Sequence, residues 1–257
     1  MAEKKIVVAN WKMNPVRGTE ARKIFSLTKQ HAGKTRGVQT VVCPPFVFLS
    51  ELAGKVSGHR CVVGAQDAFW ESEGAYTGLV SAAQVADTGA AYVILGHSER
   101  RAAGETSKDV ARKVKAALDR GLVPIVCVGE SERDDAGRYL SFVETELKES
   151  LAGIARSALK NLVIAYEPIW AIGEYAVRSA TPHEFENMLL FIRKILVDAF
   201  GKKLAFSVPI LYGGSVDDGN AADFLGVPGS GGLLVGRASL SPKIFSAILD
   251  TASKIDG

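Results

Sequence analysis

Leu162-Val163-Ile164-Ala165-Tyr166-Glu167-Pro168-Ile169-Trp170-Ala171-Ile172-Gly173 is an apolar run that ends in one carboxylate, with a proline, a bulky Trp-Ala-Ile segment and a glycine immediately after it. The run reads as a buried strand that delivers Glu167 to a rim, where a short apolar flap, Pro168 to Gly173, can fold over it. A carboxylate so placed is a base whose access to water can be switched. Taken alone, the same residues also read as a surface glutamate after a strand, a turn proline and a packing tryptophan. The rest of the chain decides between the two.

Outward from this stretch, seven more short runs rich in β-branched residues recur: Ile6–Ala9, Thr40–Cys43, Cys61–Gly64, Tyr92–Leu95, Val123–Val128, Val208–Leu211 and Leu233–Val235. With Leu162–Tyr166 they make eight. None shows strict polar alternation, the pattern of strands buried on both faces of a parallel sheet. Segments of helical period lie between them, clearest over Ser107–Arg120 and Thr181–Phe200. The second opens Thr181-Pro182-His183-Glu184, an N-cap threonine, a proline at the first helical position and a glutamate in capping-box register, and closes at Gly201. Further helices are expected over Glu20–His31, Phe46–Leu52, Ser81–Asp87, Gly137–Leu151, Val216–Phe224 and Pro242–Lys254. Strands each followed by a helix point to an α/β protein with a closed (β/α)8 barrel; a doubly wound open sheet is the alternative. No linker or composition shift divides the 257 residues, so residues 1–257 are read as one barrel domain.

Composition narrows the function. Lys+Arg 31 against Asp+Glu 28 is too balanced to predict nucleic acid or an anionic membrane as partner, while a small anionic substrate stays open because local fields decide it. The apolar run after Met1-Ala2-Glu3-Lys4-Lys5 is too short for a signal segment, and no later run approaches a membrane span. Cys43, Cys61 and Cys127 each sit in a valine-rich segment, which argues for reduced, buried thiols in a cytoplasmic protein. His31, His59, His97 and His183 show no paired metal-ligand spacing, so a metal-free reaction is expected. There is no GxxxxGK[ST] and no strand-linked GxGxxG, which leaves nucleotide binding without support.

In a barrel of this kind functional groups sit just after the carboxyl ends of the strands. Those positions hold Asn10-Trp11-Lys12, Pro44-Pro45, Gln66-Asp67, Gly96-His97-Ser98-Glu99, Gly129-Glu130, Glu167, Gly213-Gly214-Ser215 and Gly236-Arg237. Lys12 lies two residues past Asn10, so in extended backbone both side chains point the same way, an ammonium and an amide suited to an anionic oxygen. His97 precedes a possible short helix from Ser98, whose amides disfavour a positive imidazole and leave a neutral N–H donor. Glycines in the loops after strands seven and eight let backbone N–H groups approach a phosphate. Each feature has a plainer reading as well: a solvated lysine, a core histidine flanked by surface charges, glycines that only make turns.

Together these segments resemble the triosephosphate isomerase family over essentially the whole chain. The resemblance rests on Ala9-Asn10-Trp11-Lys12-Met13-Asn14, Gly74-Ala75-Tyr76-Thr77-Gly78, Gly96-His97-Ser98-Glu99-Arg100-Arg101, Cys127-Val128-Gly129-Glu130, Ala165 to Gly173, Tyr212-Gly213-Gly214-Ser215-Val216 and Leu234-Val235-Gly236, in order and at strand ends. It implies a TIM barrel and reversible conversion of dihydroxyacetone phosphate and D-glyceraldehyde 3-phosphate in glycolysis and gluconeogenesis, without cofactor or metal. It implies Glu167 as base and neutral His97 as donor to an enediolate. Lys12 and Asn10 are implied to stabilise negative charge, with Glu99 in support, and backbone amides of Gly173, Ser215, Gly236 and Arg237 to hold the phosphate. A homodimer is implied in which the loop Gln66 to Gly78 inserts into the partner.

Three departures from the family pattern stand out. Glu174 to Ala180 is two residues longer than the Thr-Gly-Lys-Thr-Ala common there, so the far hinge of the flap differs. Arg237 replaces a common second glycine, a change that keeps the backbone N–H provided the local dihedrals tolerate a side chain. Asp67 and Leu79 stand where Asn and Glu are common. The altered flap motivates one alternative, a phosphosugar-binding barrel homodimer with weak or altered isomerase activity.

Overall fold

The computed structural model describes residues 4–173 and 176–255; Glu174 and Tyr175 of the longer flap segment lie outside them. Eight parallel strands close into a barrel in chain order: β1 (Lys5–Asn10), β2 (Val38–Cys43), β3 (Cys61–Ala65), β4 (Tyr92–Leu95), β5 (Val123–Val128), β6 (Val163–Tyr166), β7 (Ile210–Tyr212) and β8 (Gly232–Val235). The pairing of β1 with β8, from Ile6 with Gly232 to Ala9 with Val235, closes the ring and removes the open-sheet alternative. Outside it run α1 (Gly18–Ala32), α2 (Phe46–Ala53), α3 (Ala82–Asp87), α4 (Ser98–Ala102), α5 (Ser107–Asp119), α6 (Arg138–Ser150), α7 (Pro182–Phe200), α8 (Lys202–Ala205), α9 (Ala221–Leu225) and α10 (Pro242–Lys254).

Alternation along the strands splits the core in two. Ile6, Val8, Val41, Cys43, Ile94, Ile125, Cys127, Val163, Ala165, Leu211 and Leu234 form one cluster, the barrel interior. Val7, Ala9, Val42, Val63, Leu95, Val126 and Ile164 belong to a second, together with helix residues such as Val110 and Val114 of α5, Phe185 and Ile192 of α7, and Phe245 and Ile248 of α10. Strands buried on both faces explain the absence of polar alternation in the sequence.

Two of the expected boundaries that move do so for a clear local reason. The seventh strand begins at Ile210 rather than Val208, since Pro209 has no N–H to give the ladder and offers only its carbonyl, to Ile164. The helix expected from Val216 begins only at Ala221. Asp217 Oδ1 accepts from the N–H groups of Gly219 and Asn220, a side-chain turn that competes with helix formation. The capping box at the start of α7 forms as read, with Thr181 Oγ1 accepting from Glu184 N–H and the Glu184 carboxylate accepting from Thr181 N–H.

The three cysteines are free and buried. Burial pushes the Cys61 thiol up to about 12 and raises those of Cys43 and Cys127 well above the ordinary thiol range. A thiol that stays protonated is a poor nucleophile. The native chain is therefore expected to give almost no reaction with a thiol-specific disulfide reagent at pH 8 over minutes, and all three thiols only after unfolding; rapid native reaction of one would refute the burial argument.

Candidate active site

The interior register fixes what reaches the carboxyl rim. Asn10, Gly129, Glu167, Gly213 and Gly236 each lie two residues past an interior side chain, namely Val8, Cys127, Ala165, Leu211 and Leu234, and so continue the inward row. Glycine on both sides of Glu167 is a matter of space. A Cβ on Gly213 would sit 3.1 Å from Glu167 Cγ, and one on Gly129 would come within 1.7 Å of the Glu167 carbonyl oxygen. The strands on either side of β6 thus close tightly around Glu167.

Glu167 is 2% exposed, and its two carboxylate oxygens find different partners. Oε2 accepts from Ser98 N–H at 2.9 Å, and Oε1 lies 3.1 Å from His97 Nε2. His97 Nδ1 in turn accepts from Glu99 N–H in the first turn of α4 at 3.2 Å. A ring nitrogen that accepts carries no hydrogen, so the imidazole hydrogen is on Nε2 and is aimed at Glu167. The arrangement is a buried carboxylate side by side with an N–H donor.

Asn10 and Lys12 line the same cavity of about 540 Å³ as His97, Glu99, Gln66 and Phe69. The extended-backbone reason given for their shared direction is wrong. Lys12 has φ +53, the only positive φ of a non-glycine among the described residues. Left-handed backbone at a lysine is held only where surroundings over-determine it. Here Asn10 Oδ1 accepts from Lys12 N–H at 3.1 Å, while Gln66 Nε2 donates to Lys12 O at 2.8 Å and to Cys43 O at 2.9 Å. The ammonium meets Glu99 Oε1 at 2.6 Å. Gln66 was not among the residues singled out for the site; its place just after β3 was the signal.

The phosphate-loop residues come into view less completely. Gly236 packs beside Lys12, whose Cε would lie 3.6 Å from a Cβ there. Arg237 opens a 3-10 turn, Arg237–Leu240, with no left-handed backbone, so the site of the lost glycine tolerates a side chain. Ser215 Oγ donates to Ala171 O at 2.9 Å, which ties the loop after β7 to the flap, and Gly173 ends the flap with φ +79. The flap itself is a 3-10 turn over Ile169–Ala171. Because α9 starts only at Ala221, the helix N-terminus expected just after Ser215 is not there.

Two supporting clusters escaped the sequence reading. Beneath the flap, buried Glu130 Oε1 accepts from Tyr166 Oη at 2.8 Å, Trp170 Nε1 at 2.9 Å and Arg133 Nε at 2.9 Å. Burial is the main reason the Tyr166 hydroxyl stays protonated far above its ordinary range. Gly129-Glu130 at a strand end was a signal for the carboxylate, but nothing marked Arg133. Beneath His97, Arg101 donates from Nε to Gly96 O at 2.8 Å, from Nη2 to Cys127 O at 3.2 Å and to Ser150 Oγ at 3.1 Å, and pairs with Glu146 at 3.3 Å. Glu146 accepts from Gly129 N–H at 2.9 Å, and burial raises its carboxyl above the usual range. Arg101 is thus no part of a solvated face, whereas Arg100 is half exposed and pairs with Asp67 at 3.1 Å.

Among the described residues no group of three or more His, Cys, Asp and Glu side chains could hold a metal ion, and no helix is long and apolar enough to cross a membrane.

Comparison with known proteins gives one result. The family model described as triosephosphate isomerase matches residues 5–252. A triosephosphate isomerase from Dehalococcoides mccartyi is 44% identical over 252 residues, covering 97% of this chain and 98% of its own. One from Symbiobacterium thermophilum is 42% identical over 251 residues, with 97% of each chain covered. Another from Rhodopirellula baltica is 41% identical over 254 residues, covering 98% of this chain and 99% of its own.

The Arg101 cluster generates a stability prediction. Removing one member of a buried ion pair leaves the other charge uncompensated, at a cost of about 3–5 kcal/mol. Arg101→Met is expected to lower the unfolding free energy by about that amount in urea titrations; a loss of only a few tenths would show that the cluster is dispensable.

Proposed function

Because the chain belongs to the triosephosphate isomerase family, we propose that it interconverts dihydroxyacetone phosphate and D-glyceraldehyde 3-phosphate through an enediolate, with its own side chains and no cofactor. The observation that carries the residue assignment is the 3.1 Å approach of His97 Nε2 to buried Glu167, with the Nδ1 lone pair engaged by Glu99 N–H. A base and an N–H donor that adjacent serve neighbouring atoms of one substrate. Glu167 takes the proton from the carbon beside the carbonyl, His97 Nε2–H donates to the oxygen that becomes negative, the hydroxyl proton on the first carbon passes to the former carbonyl oxygen, and protonated Glu167 returns its proton to the former carbonyl carbon. To do so the carboxylate gives up the Ser98 N–H that holds it in the resting site.

Lys12 and Asn10 face the same cavity and supply positive charge and an amide to the developing enediolate; Glu99 keeps the ammonium in place. A well-placed donor of this kind is worth on the order of 10²–10³ in rate. Backbone amides of Gly173, Ser215, Gly236 and Arg237 hold the phosphate, and the flap Pro168 to Gly173 excludes water that would otherwise favour loss of phosphate from the enediolate. The unpaired, buried cysteines suit a cytoplasmic enzyme of glycolysis and gluconeogenesis.

The same reading makes the protein a homodimer. The loop Gln66 to Gly78 carries an aromatic cluster, Phe69 with its ring centroid 4.1 Å from Trp70 and 4.7 Å from Tyr76. Tyr76 within this loop and Leu79 at the cavity wall just after it are exposed, apolar surface that an isolated chain leaves wet. Asp67, in place of the common asparagine, pairs within the subunit with Arg100 and with Lys113 at 2.6 Å, so it does not need the partner.

A coupled assay with the two triose phosphates tests the activity; failure to interconvert them while phosphate analogues still bind would overturn it. Glu167→Gln is expected to lower kcat by about 10²–10⁴-fold with the fold intact by circular dichroism; near-normal turnover removes Glu167 as base. Sedimentation equilibrium is expected to give twice the 27.3 kDa chain mass, and Tyr76→Glu to shift the equilibrium toward monomer.

A further inference from the structure

The flap departs from the family pattern in its second half, and there the structure places an arginine with no counterpart in the motif. Val177 N–H donates to Trp170 O at 2.8 Å, which brings the chain back onto the flap. The next residue, Arg178, lays its guanidinium over the Trp170 ring, 4.5 Å from the centroid. Its two terminal nitrogens then fork onto Glu184, Nη2 to Oε1 at 2.5 Å and Nη1 to Oε2 at 2.9 Å. Nη1 also donates to Ser179 O at 3.0 Å. Arg133 lies 5.1 Å from the same ring, so the Trp170 indole is flanked by two guanidinium groups while its Nε1 donates to Glu130.

Glu184 is held independently of Arg178. Its Oε2 accepts from Thr181 N–H at 2.8 Å and Thr181 Oγ1 at 3.0 Å in the capping box of α7. Arg178 hydrogen bonds are the largest cause that brings its carboxyl down to about 2, so it stays ionised at any working pH. α7 runs for 19 residues and buries Phe185, Met188, Leu189 and Ile192 against the barrel, a rigid base for the contact. The fork needs a planar, two-toothed cation, and the stack needs a flat one; arginine meets both demands and lysine neither.

We propose that Arg178 is a positioning residue for the flap, which holds Trp170 onto the capping glutamate of α7 through a stacked and forked guanidinium. The role follows from continuity of structure. Trp170 is three residues from Gly173, whose amide is assigned to the phosphate, and three from Glu167. A ring fixed on α7 keeps that amide near its bound position before substrate arrives, so less ordering is left for binding to supply. The inference rests on the isomerase reading for its kinetic consequence and on geometry alone for the contact.

The experiment uses the full chain labelled with 5-fluorotryptophan, which reports Trp11, Trp70 and Trp170 separately, with Trp170→Phe assigning the third. Arg178→Met, which keeps the apolar stem, is expected to displace or broaden the Trp170 fluorine resonance and leave the other two in place. Glu184→Gln, which keeps an acceptor for the cap, is expected to shift the same resonance. In the isomerase assay Arg178→Met is expected to raise KM about two- to fivefold, the fold-change of one exposed cation–π contact, with kcat changed less than about twofold. Arg178→Lys should follow Arg178→Met. An unmoved Trp170 resonance in Arg178→Met, a moved one with unchanged KM, or wild-type behaviour of Arg178→Lys overturns the proposal. Absence of isomerase activity in the wild-type chain instead sinks the functional reading, and the fluorine signal still tests the contact.

Discussion

A carboxylate almost sealed from water has to be met by donors, and much of this structure is arranged to meet that demand at Glu167. Its burial is imposed by register: Val163 and Ala165 of β6 fill the barrel interior, and the next inward position is the glutamate. An ionised group there is tolerated because Ser98 N–H and His97 Nε2 both face it. Each donor depends on something further down. Ser98 and Glu99 present their amides because α4 begins at once after β4, and the start of α4 is fastened to the barrel by Arg101.

The rim is therefore built in two tiers. In the upper tier Asn10, Lys12, His97, Glu99 and Glu167 meet, drawn from the ends of β1, β4 and β6. In the lower tier, buried ion pairs and hydrogen bonds hold strand ends in place: Arg101 with Glu146 beneath His97, and Glu130 with Tyr166, Trp170 and Arg133 beneath the flap. Neighbouring strands come so close to β6 that position 129 has room for nothing larger than glycine, and a Cβ at position 213 would press on Glu167. Lys12 shows the cost of precision at this rim, a left-handed backbone kept in place by Asn10 and Gln66.

The flap joins both tiers to the outer helices. Ser215 reaches it from the loop after β7, Glu130 from below, and Arg178 ties it to the start of α7.

The sequence by itself determined the barrel, because period-two burial on both faces and the strand–helix alternation are local properties that recur along the chain. It also singled out Asn10, Lys12, His97, Glu99 and Glu167, since polar residues at the ends of apolar strands are conspicuous in one dimension. It misjudged Lys12 as extended, because left-handed backbone there is held by Gln66 from another strand. It misjudged the start of α9, because an aspartate turn outcompeted helix propensity. Gln66, Arg133 and Arg178 were given no role at the site. Long, flexible side chains carry no sign in sequence of what they will reach, and the partners of these three lie on strands, loops and a helix that only the closed barrel brings within hydrogen-bond distance.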